Sequence, residues 1–303
     1  MTDAARNPET PLAWVESPLQ LLCAAEFAAA HALRIRVAFR LSGPQMSATA
    51  AELLKRRAPF VEIAPYYGIP WSLLADHRDW IIGDAFSGQF RSAMTLLTPR
   101  TVTLVDDGAM SIHVADALAG RVDYARPGQH ESGLKTVLGG LARSRMLRLA
   151  RRARLGMFSA FAGHASVAAL TDLGVEVREN DFAWLRAHAR PIPLPARRVI
   201  LGSAAVADDT LAVGTYLDWL RDVVAESDEP AAYLPHRREP EEVLRRIADL
   251  PGLALVRTGL PVELALAGST EALEIVSLRS TAAITLRQVL EGSGSRVRVE
   301  VAA

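Results

Sequence analysis

The stretch Leu12-Ala13-Trp14-Val15-Glu16-Ser17-Pro18-Leu19-Gln20-Leu21-Leu22 decides the fold. Leu12 to Val15 reads as a short buried strand, and Pro18 opens an Ala/Leu-rich helical pattern that runs to His31. Downstream, Ile35 to Phe39 is short and β-branched, and Ser47 to Arg57 is helical. Trp80 to Ile82 and Val102 to Val105 are further strands, each ending at a Gly-Asp or Asp-Asp-Gly turn. This alternation predicts a parallel sheet covered by helices.

The rhythm breaks between Pro127 and His164. That segment carries Arg143, Arg145, Arg148, Arg151, Arg152 and Arg154. It reads either as a solvated helix face beside an acidic neighbour or as a basic helix drawn to anionic lipid or glycan. Pro191-Ile192-Pro193-Leu194-Pro195 cannot continue a helix and predicts an extended linker. After it the alternation restarts, with strands at Arg198–Leu201, Ala231–Leu234, Ala254–Arg257 and Glu274–Leu278. Helices are expected over Asp209–Ala225 and Pro240–Leu250. Two Rossmann-like α/β domains follow, residues 11–190 and 196–303.

The totals fit that division. A chain of 303 residues, half of them hydrophobic, suits two domains. Lys plus Arg balance Asp plus Glu at 34 each, which argues against a dedicated nucleic-acid binder. Cys23 is the only cysteine, so no internal disulfide or Cys-based metal site is available. Its apolar neighbours predict a buried, inert thiol. The polar start, Met1 to Pro11, has no signal-peptide pattern, and no apolar run approaches the ~20 residues that span a bilayer. A cytoplasmic protein, at most peripheral at the inner face of the membrane, is the expectation.

In sheets of this kind ligands bind outside the carboxyl ends of the strands. Five strand-end or helix-start sites carry suitable groups. Asp106-Asp107-Gly108 pairs two carboxylates, and adjacent like charges raise one pKa, which suits a general base; helix capping explains the same residues. His236-Arg237-Arg238-Glu239 combines an imidazole with planar phosphate donors, though arginines pairing with Glu239, Glu241 and Glu242 would look the same. Ser280-Thr281 opens a helix, as either an anion site or an ordinary N-cap. Gly202-Ser203 follows a strand, and Glu263 is placed either to accept from ribose hydroxyls or to sit at a helix start.

In series, these sites resemble the bacterial sialyltransferases that use CMP-sialic acid, especially the lipooligosaccharide sialyltransferase and polysialyltransferase group. Asp106-Asp107-Gly108, His236 and Ser280-Thr281 occur in the order of that group's acidic-acidic-Gly, His-Pro and Ser-Ser/Thr motifs. Glu16 to Leu22, Ile82 to Gly88 and Pro261 to Leu264 are similar to further blocks, so the resemblance runs from Leu12 to Leu290. One departure stands out: Arg237 follows His236 where the family has proline, and Pro235 precedes it.

The resemblance implies a GT-B architecture and an inverting transfer that needs no metal and no other cofactor. Asp106 would be the general base, with Asp107 the alternative, and His236 would meet the departing CMP phosphate from across the cleft. Gly202, Ser203, Glu263, Ser280 and Thr281 would hold CMP. Ser17, Gln20, Asp84, Asp107, Gly108 and Arg237 would contact substrate. The implied partners are a CMP-activated ulosonic acid and a glycan acceptor, with anionic membrane or glycan at the Arg143–Arg154 segment. Two alternatives stay open: a transferase of the same architecture using a UDP- or GDP-sugar, and a non-catalytic nucleotide- or glycan-binding relative.

Overall fold

The computed structural model describes residues 9–302. Met1 to Pro8, which include most of the polar start, lie outside the described residues, as does Ala303. The chain divides into two compact units, the first ending at Trp184 and the second beginning at Leu185.

The first unit holds a seven-stranded sheet: β1 (Leu12–Val15), β2 (Ile35–Arg40), β3 (Phe60–Tyr66), β4 (Asp79–Ile82), β5 (Thr101–Val105), β6 (Leu155–Ser159) and β7 (Glu176–Glu179). Its order is β3-β2-β1-β4-β5-β6-β7, every pair parallel. β1 is buried along its whole length, as a strand covered on both faces must be. The outer strand β7 reads Glu-Val-Arg-Glu, and charges of that kind discourage pairing at an open edge. Helices connect the strands: α1 (Pro18–Ala30), α2 (Pro44–Lys55), α3 (Trp71–Asp76), α4 (Gly88–Leu96), α5 (Met110–Ala119), α6 (Leu134–Ala150) and the short α7 (Ala165–Ala168).

After α8 (Ala183–Ala187), the second unit repeats the scheme. Its strands are β8 (Arg198–Leu201), β9 (Ala231–Leu234), β10 (Leu253–Leu255), β11 (Glu274–Leu278) and β12 (Arg296–Glu300), ordered β10-β9-β8-β11-β12 and all parallel. Its helices are α9 (Val213–Ala225), α10 (Glu241–Ala248), α11 (Val262–Leu266) and α12 (Thr281–Val289). Its core is built from Ile200, Tyr216, Leu220, Tyr233, Ile247 and Val276, all buried. Both sheets therefore run 3-2-1-4-5 from their own first strand, the Rossmann-like order, and reverse direction between β1 and β4 and between β8 and β11.

Pro191–Pro195 forms no helix or strand. The units separate ahead of it, because Trp184 is tied back to the first unit through its N–H, which donates to Glu26 Oε2 at 3.1 Å. Residues after it belong with the second unit: Arg186 Nη1 donates to the Gln288 carbonyl at 2.8 Å. Cys23 is buried, as its neighbours predict, and Asn180 Nδ2 lies 3.4 Å from its sulfur. Among the described residues no helix is long and apolar enough to cross a membrane.

The basic segment does two different things. Arg143 caps the end of α5, donating to the carbonyls of Ala117 and Leu118 at 2.8 and 3.0 Å. Arg145 does the same for α4, at the carbonyls of Met94 and Leu97. Arg148, Arg151, Arg152 and Arg154 are exposed.

Candidate functional site

At the carboxyl edge of the first sheet, β5 ends in Asp106-Asp107-Gly108. Gly108 has φ +69°, a left-handed conformation that glycine adopts without steric cost, and this turns the chain into α5. The two carboxylates part company there. Asp106 is fully buried, accepting from Ser111 Oγ at 2.7 Å, Ser159 Oγ at 2.5 Å and the Ala160 N–H at 2.6 Å. It ties the ends of β5 and β6 to the first turns of α5. Burial pushes its carboxyl up to about 6, against those three hydrogen bonds, which favour the ionised form. Asp107 is half-buried, and its Oδ1 accepts from the buried Ser17 Oγ at 3.3 Å. So the first acid, the expected base, is closed off, and the second is partly exposed.

Ser17 and Gln20 form the capping box of α1: the Gln20 N–H donates to Ser17 Oγ at 3.3 Å and the Ser17 N–H to Gln20 Oε1 at 3.2 Å. Gln20 is buried, and a Cβ on Gly83 would stand 2.1 Å from its Oε1, so the residue just after β4 has no room for a side chain while Gln20 holds the capping box. Gln20 thus shapes the edge rather than facing solvent. Asp84 follows Gly83, accepting from the Phe86 N–H at 2.9 Å and from Arg126. Burial raises its carboxyl to about 6, with Arg126 opposing the shift and Asp107 and Glu16 adding to it. Asp84 lines a cavity of about 420 Å³.

The second sheet presents its residues at the ends of three adjacent strands. Gly202-Ser203 follows β8, His236 follows β9 and Ser280-Thr281 follows β11. Gly202 admits no side chain, since a Cβ would lie 2.2 Å from Glu239 Oε2 and 2.4 Å from the His236 nitrogen. Glu239 is buried and organises the edge. It accepts from the Tyr216 hydroxyl at 3.0 Å, from the Tyr233 hydroxyl and from the His236 N–H at 2.6 Å. Burial raises its carboxyl and pushes both tyrosines well above the ordinary phenol value.

His236 is half-buried, and its Nδ1 accepts from the Arg238 N–H at 3.3 Å. Burial, with Arg238 and Arg237 beside it, pushes the imidazole down to about 4. It is therefore neutral at pH 7, with the proton on Nε2. Arg237 is exposed, and Arg238 is held by Asp208 in a two-pronged pair at 2.6 and 2.7 Å. Ser280 caps α12, accepting from the Ala283 N–H at 3.3 Å, and its hydroxyl meets Ser277 Oγ at 3.1 Å. Glu263 stands apart: it is buried on α11, accepting from Thr285 Oγ1 of α12 at 2.6 Å, and burial raises its carboxyl. That position braces α11 against α12 and gives no opening toward a ribose.

No family model and no curated protein matches this chain. The chemistry of the two edges therefore carries the functional reading. Among the described residues no group of three or more His, Cys, Asp and Glu side chains is assembled to hold a metal.

Several residues that organise the edges carry little sequence signal. Ser159 ends β6 and Ala160 follows it, inside the segment where the strand-helix rhythm is obscured by arginines. Glu239 reads as a surface partner for arginines, yet Arg238 pairs with Asp208 and Arg257 with Glu241, leaving Glu239 to the tyrosines.

Proposed function

We propose that this protein is an inverting, metal-independent glycosyltransferase of the GT-B kind, which moves sialic acid or a related ulosonic acid from CMP to a glycan hydroxyl. The observation that carries the reading is the second sheet's edge, where Gly202-Ser203, His236 and Ser280-Thr281 follow adjacent strands beside the direction reversal. An edge with a neutral Nε2–H donor, a hydroxyl and the N-terminal amides of α12 suits a phosphate.

On this reading CMP sits at that edge, with its phosphate toward His236, Ser280 and Thr281 and its nucleoside near Gly202 and Ser203. The acceptor lies at the first sheet's edge. Asp107 takes the role of base, because it is partly exposed and Asp106 is fully buried. The acceptor oxygen attacks the anomeric carbon from the face opposite CMP and gives its proton to the Asp107 carboxylate. The bond from that carbon to the CMP phosphate oxygen breaks, and the charge left on the phosphate meets the His236 Nε2–H and the α12 amides. Attack from the opposite face inverts the configuration. The exposed Arg148, Arg151, Arg152 and Arg154 hold the protein to anionic membrane or glycan, a contact that salt should weaken in liposome co-sedimentation.

The deciding experiment incubates the protein with CMP-N-acetylneuraminic acid and a panel of glycans, following CMP release and the product's anomeric configuration. Inverted product is expected. Release from a UDP- or GDP-sugar but not from CMP-sugars would replace the donor. CMP binding with no turnover across the panel would mark a binding protein instead.

A further inference from the structure

α6 is apolar on two opposite sides. Gly139, Ala142, Met146 and Ala150 are buried and pack the helix onto the first unit. On the other side Leu134, Val137, Leu141, Ser144 and Arg148 follow one another at helical spacing, and all are exposed. The three apolar members are 71%, 57% and 48% exposed. α4 packs along α6, with Arg145 reaching the carbonyls of Met94 and Leu97, and it adds Leu96, 70% exposed, beside α6. A helix apolar on its outer side as well as its inner one has a face left to cover.

Charge says what covers it. Arg148 ends the stripe, and Arg151, Arg152 and Arg154 follow closely. All four are exposed, and none makes an ion pair among the described residues. No acidic residue lies between Glu131 and Asp172. An acidic glycan would satisfy the arginines and leave Leu134, Val137 and Leu141 in water. A second copy of α6 would cover those side chains but brings no carboxylate for the arginines. A bilayer with acidic headgroups does both, taking the apolar side chains at the acyl boundary and meeting the guanidinium groups with phosphates. The long stem of arginine lets Arg148 stay in the stripe while its charged head reaches the headgroups.

We propose that α6 is an interfacial helix that lies in the plane of an acidic phospholipid surface, with Leu134, Val137 and Leu141 immersed and Arg148, Arg151, Arg152 and Arg154 on the lipid phosphates. Lipid docking does not depend on the transferase reading; it narrows the choice between lipid and glycan that the arginines alone leave open.

Co-sedimentation of the full chain with vesicles tests it, comparing neutral phosphatidylcholine with the same lipid holding about 30% phosphatidylglycerol. Binding to the acidic vesicles should be at least about 10-fold tighter, and should weaken as salt rises from about 50 mM to about 500 mM. Leu134→Ser, Val137→Ser and Leu141→Ser combined change only exposed positions. That variant should keep its melting temperature and lose at least about 10-fold in vesicle affinity. Arg148→Gln, Arg151→Gln and Arg152→Gln combined should lose as much. A polarity-sensitive fluorophore on Leu141→Cys reads immersion directly, since Cys23 is buried and stays unlabelled. Its emission should shift to the blue on acidic vesicles and stay unmoved on soluble heparin.

Equal binding to both kinds of vesicle, no binding at low salt, or unchanged binding in the serine variant would overturn the proposal. Heparin binding without vesicle binding would give the face to an acidic glycan instead. A dimer that the serine variant dissolves, again without vesicle binding, would give it to a second copy. Vesicle binding without any CMP-sugar turnover would remove the transferase reading and leave the docking face; turnover without vesicle binding would do the reverse.

Discussion

The backbone N–H of His236 donates to Glu239 Oε2 at 2.6 Å, so the histidine at the end of β9 is held by a carboxylate three residues downstream. Gly202 of β8 lies against the same pair. His236, Glu239 and Gly202 thus form one packed unit, and the imidazole is placed by this backbone and by the Arg238 N–H at its Nδ1.

Gly202→Ala should be severely destabilising. The added carbon would fall 2.2 Å from a buried carboxylate oxygen and 2.4 Å from a backbone nitrogen, neither of which can withdraw. Overpacking of this kind costs about 1–3 kcal/mol or more, read as a lowered urea midpoint. Glu239→Ala should cost about 2–4 kcal/mol, because the His236 N–H loses its acceptor and the Tyr216 and Tyr233 hydroxyls, 2.6 Å apart, are left only with each other. Wild-type midpoints in both variants would show that this unit does not set the edge.

His236 is neutral in the free protein, its imidazole held at about 4 by burial and two arginines. A phosphate beside Nε2 favours the charged ring and should raise its pKa by about one or more, equivalent to about 1.4 kcal/mol of coupling. Binding then takes up protons, so CMP affinity should rise as pH falls from neutrality toward the raised value. Imidazole NMR shifts followed against pH, with and without CMP, provide the check. An unmoved titration on saturation with CMP would separate His236 from the phosphate.

The two acids after β5 should respond differently to the same change. Asp107→Asn should lower CMP-sugar transfer by at least ~100-fold, a usual general-base contribution, with stability within about 0.5 kcal/mol of wild type. Asp106→Asn puts an N–H₂ group against one of the donors that Asp106 now satisfies, so a stability change is its main effect. Activity lost in Asp106→Asn and kept in Asp107→Asn would return the base role to the first acid.

The central strands were legible because burial on both faces leaves mainly apolar runs: Leu12–Val15 and Glu274–Leu278, with Ile275, Val276 and Leu278 in its core, are found at the positions read from sequence. Of the four outer strands only β10 was, read at Ala254–Arg257 and found at Leu253–Leu255. β7 is Glu-Val-Arg-Glu and β12 alternates arginine with valine, as exposed edges require, and neither carries an apolar run. β3 includes Pro65 and lies at the other edge. The strand-end motifs were visible as residue types, but their orientation was not. Asp106 is closed off by Ser159, 53 residues away, and Glu263 by Thr285, 22 residues away, contacts that only the assembled sheets create. The reverse error applies to Glu239, whose neighbours Arg237 and Arg238 made it look like a surface acid.

Asp106 also leaves a signature in the pH dependence of stability. Its carboxyl titrates at about 6 in the folded protein and at about 3.9 in an unfolded chain. Between those values the folded state holds more protons than the unfolded state, so this group's contribution declines as pH rises through the window. His236, held at about 4 when folded, acts in the opposite direction over much of the same range, so the wild-type profile mixes the two. Comparison with Asp106→Asn isolates the carboxyl, because the amide does not titrate. Wild-type stability minus that of the variant should fall by about 2 kcal/mol between pH 4 and pH 7, since each tenfold weakening of the acid on folding is worth about 1.4 kcal/mol and part of the change lies below pH 4. Urea melts at half-unit steps of pH measure it. A flat difference would mean that Asp106 keeps an ordinary pKa in the fold, and that Ser111, Ser159 and the Ala160 N–H fully offset its burial.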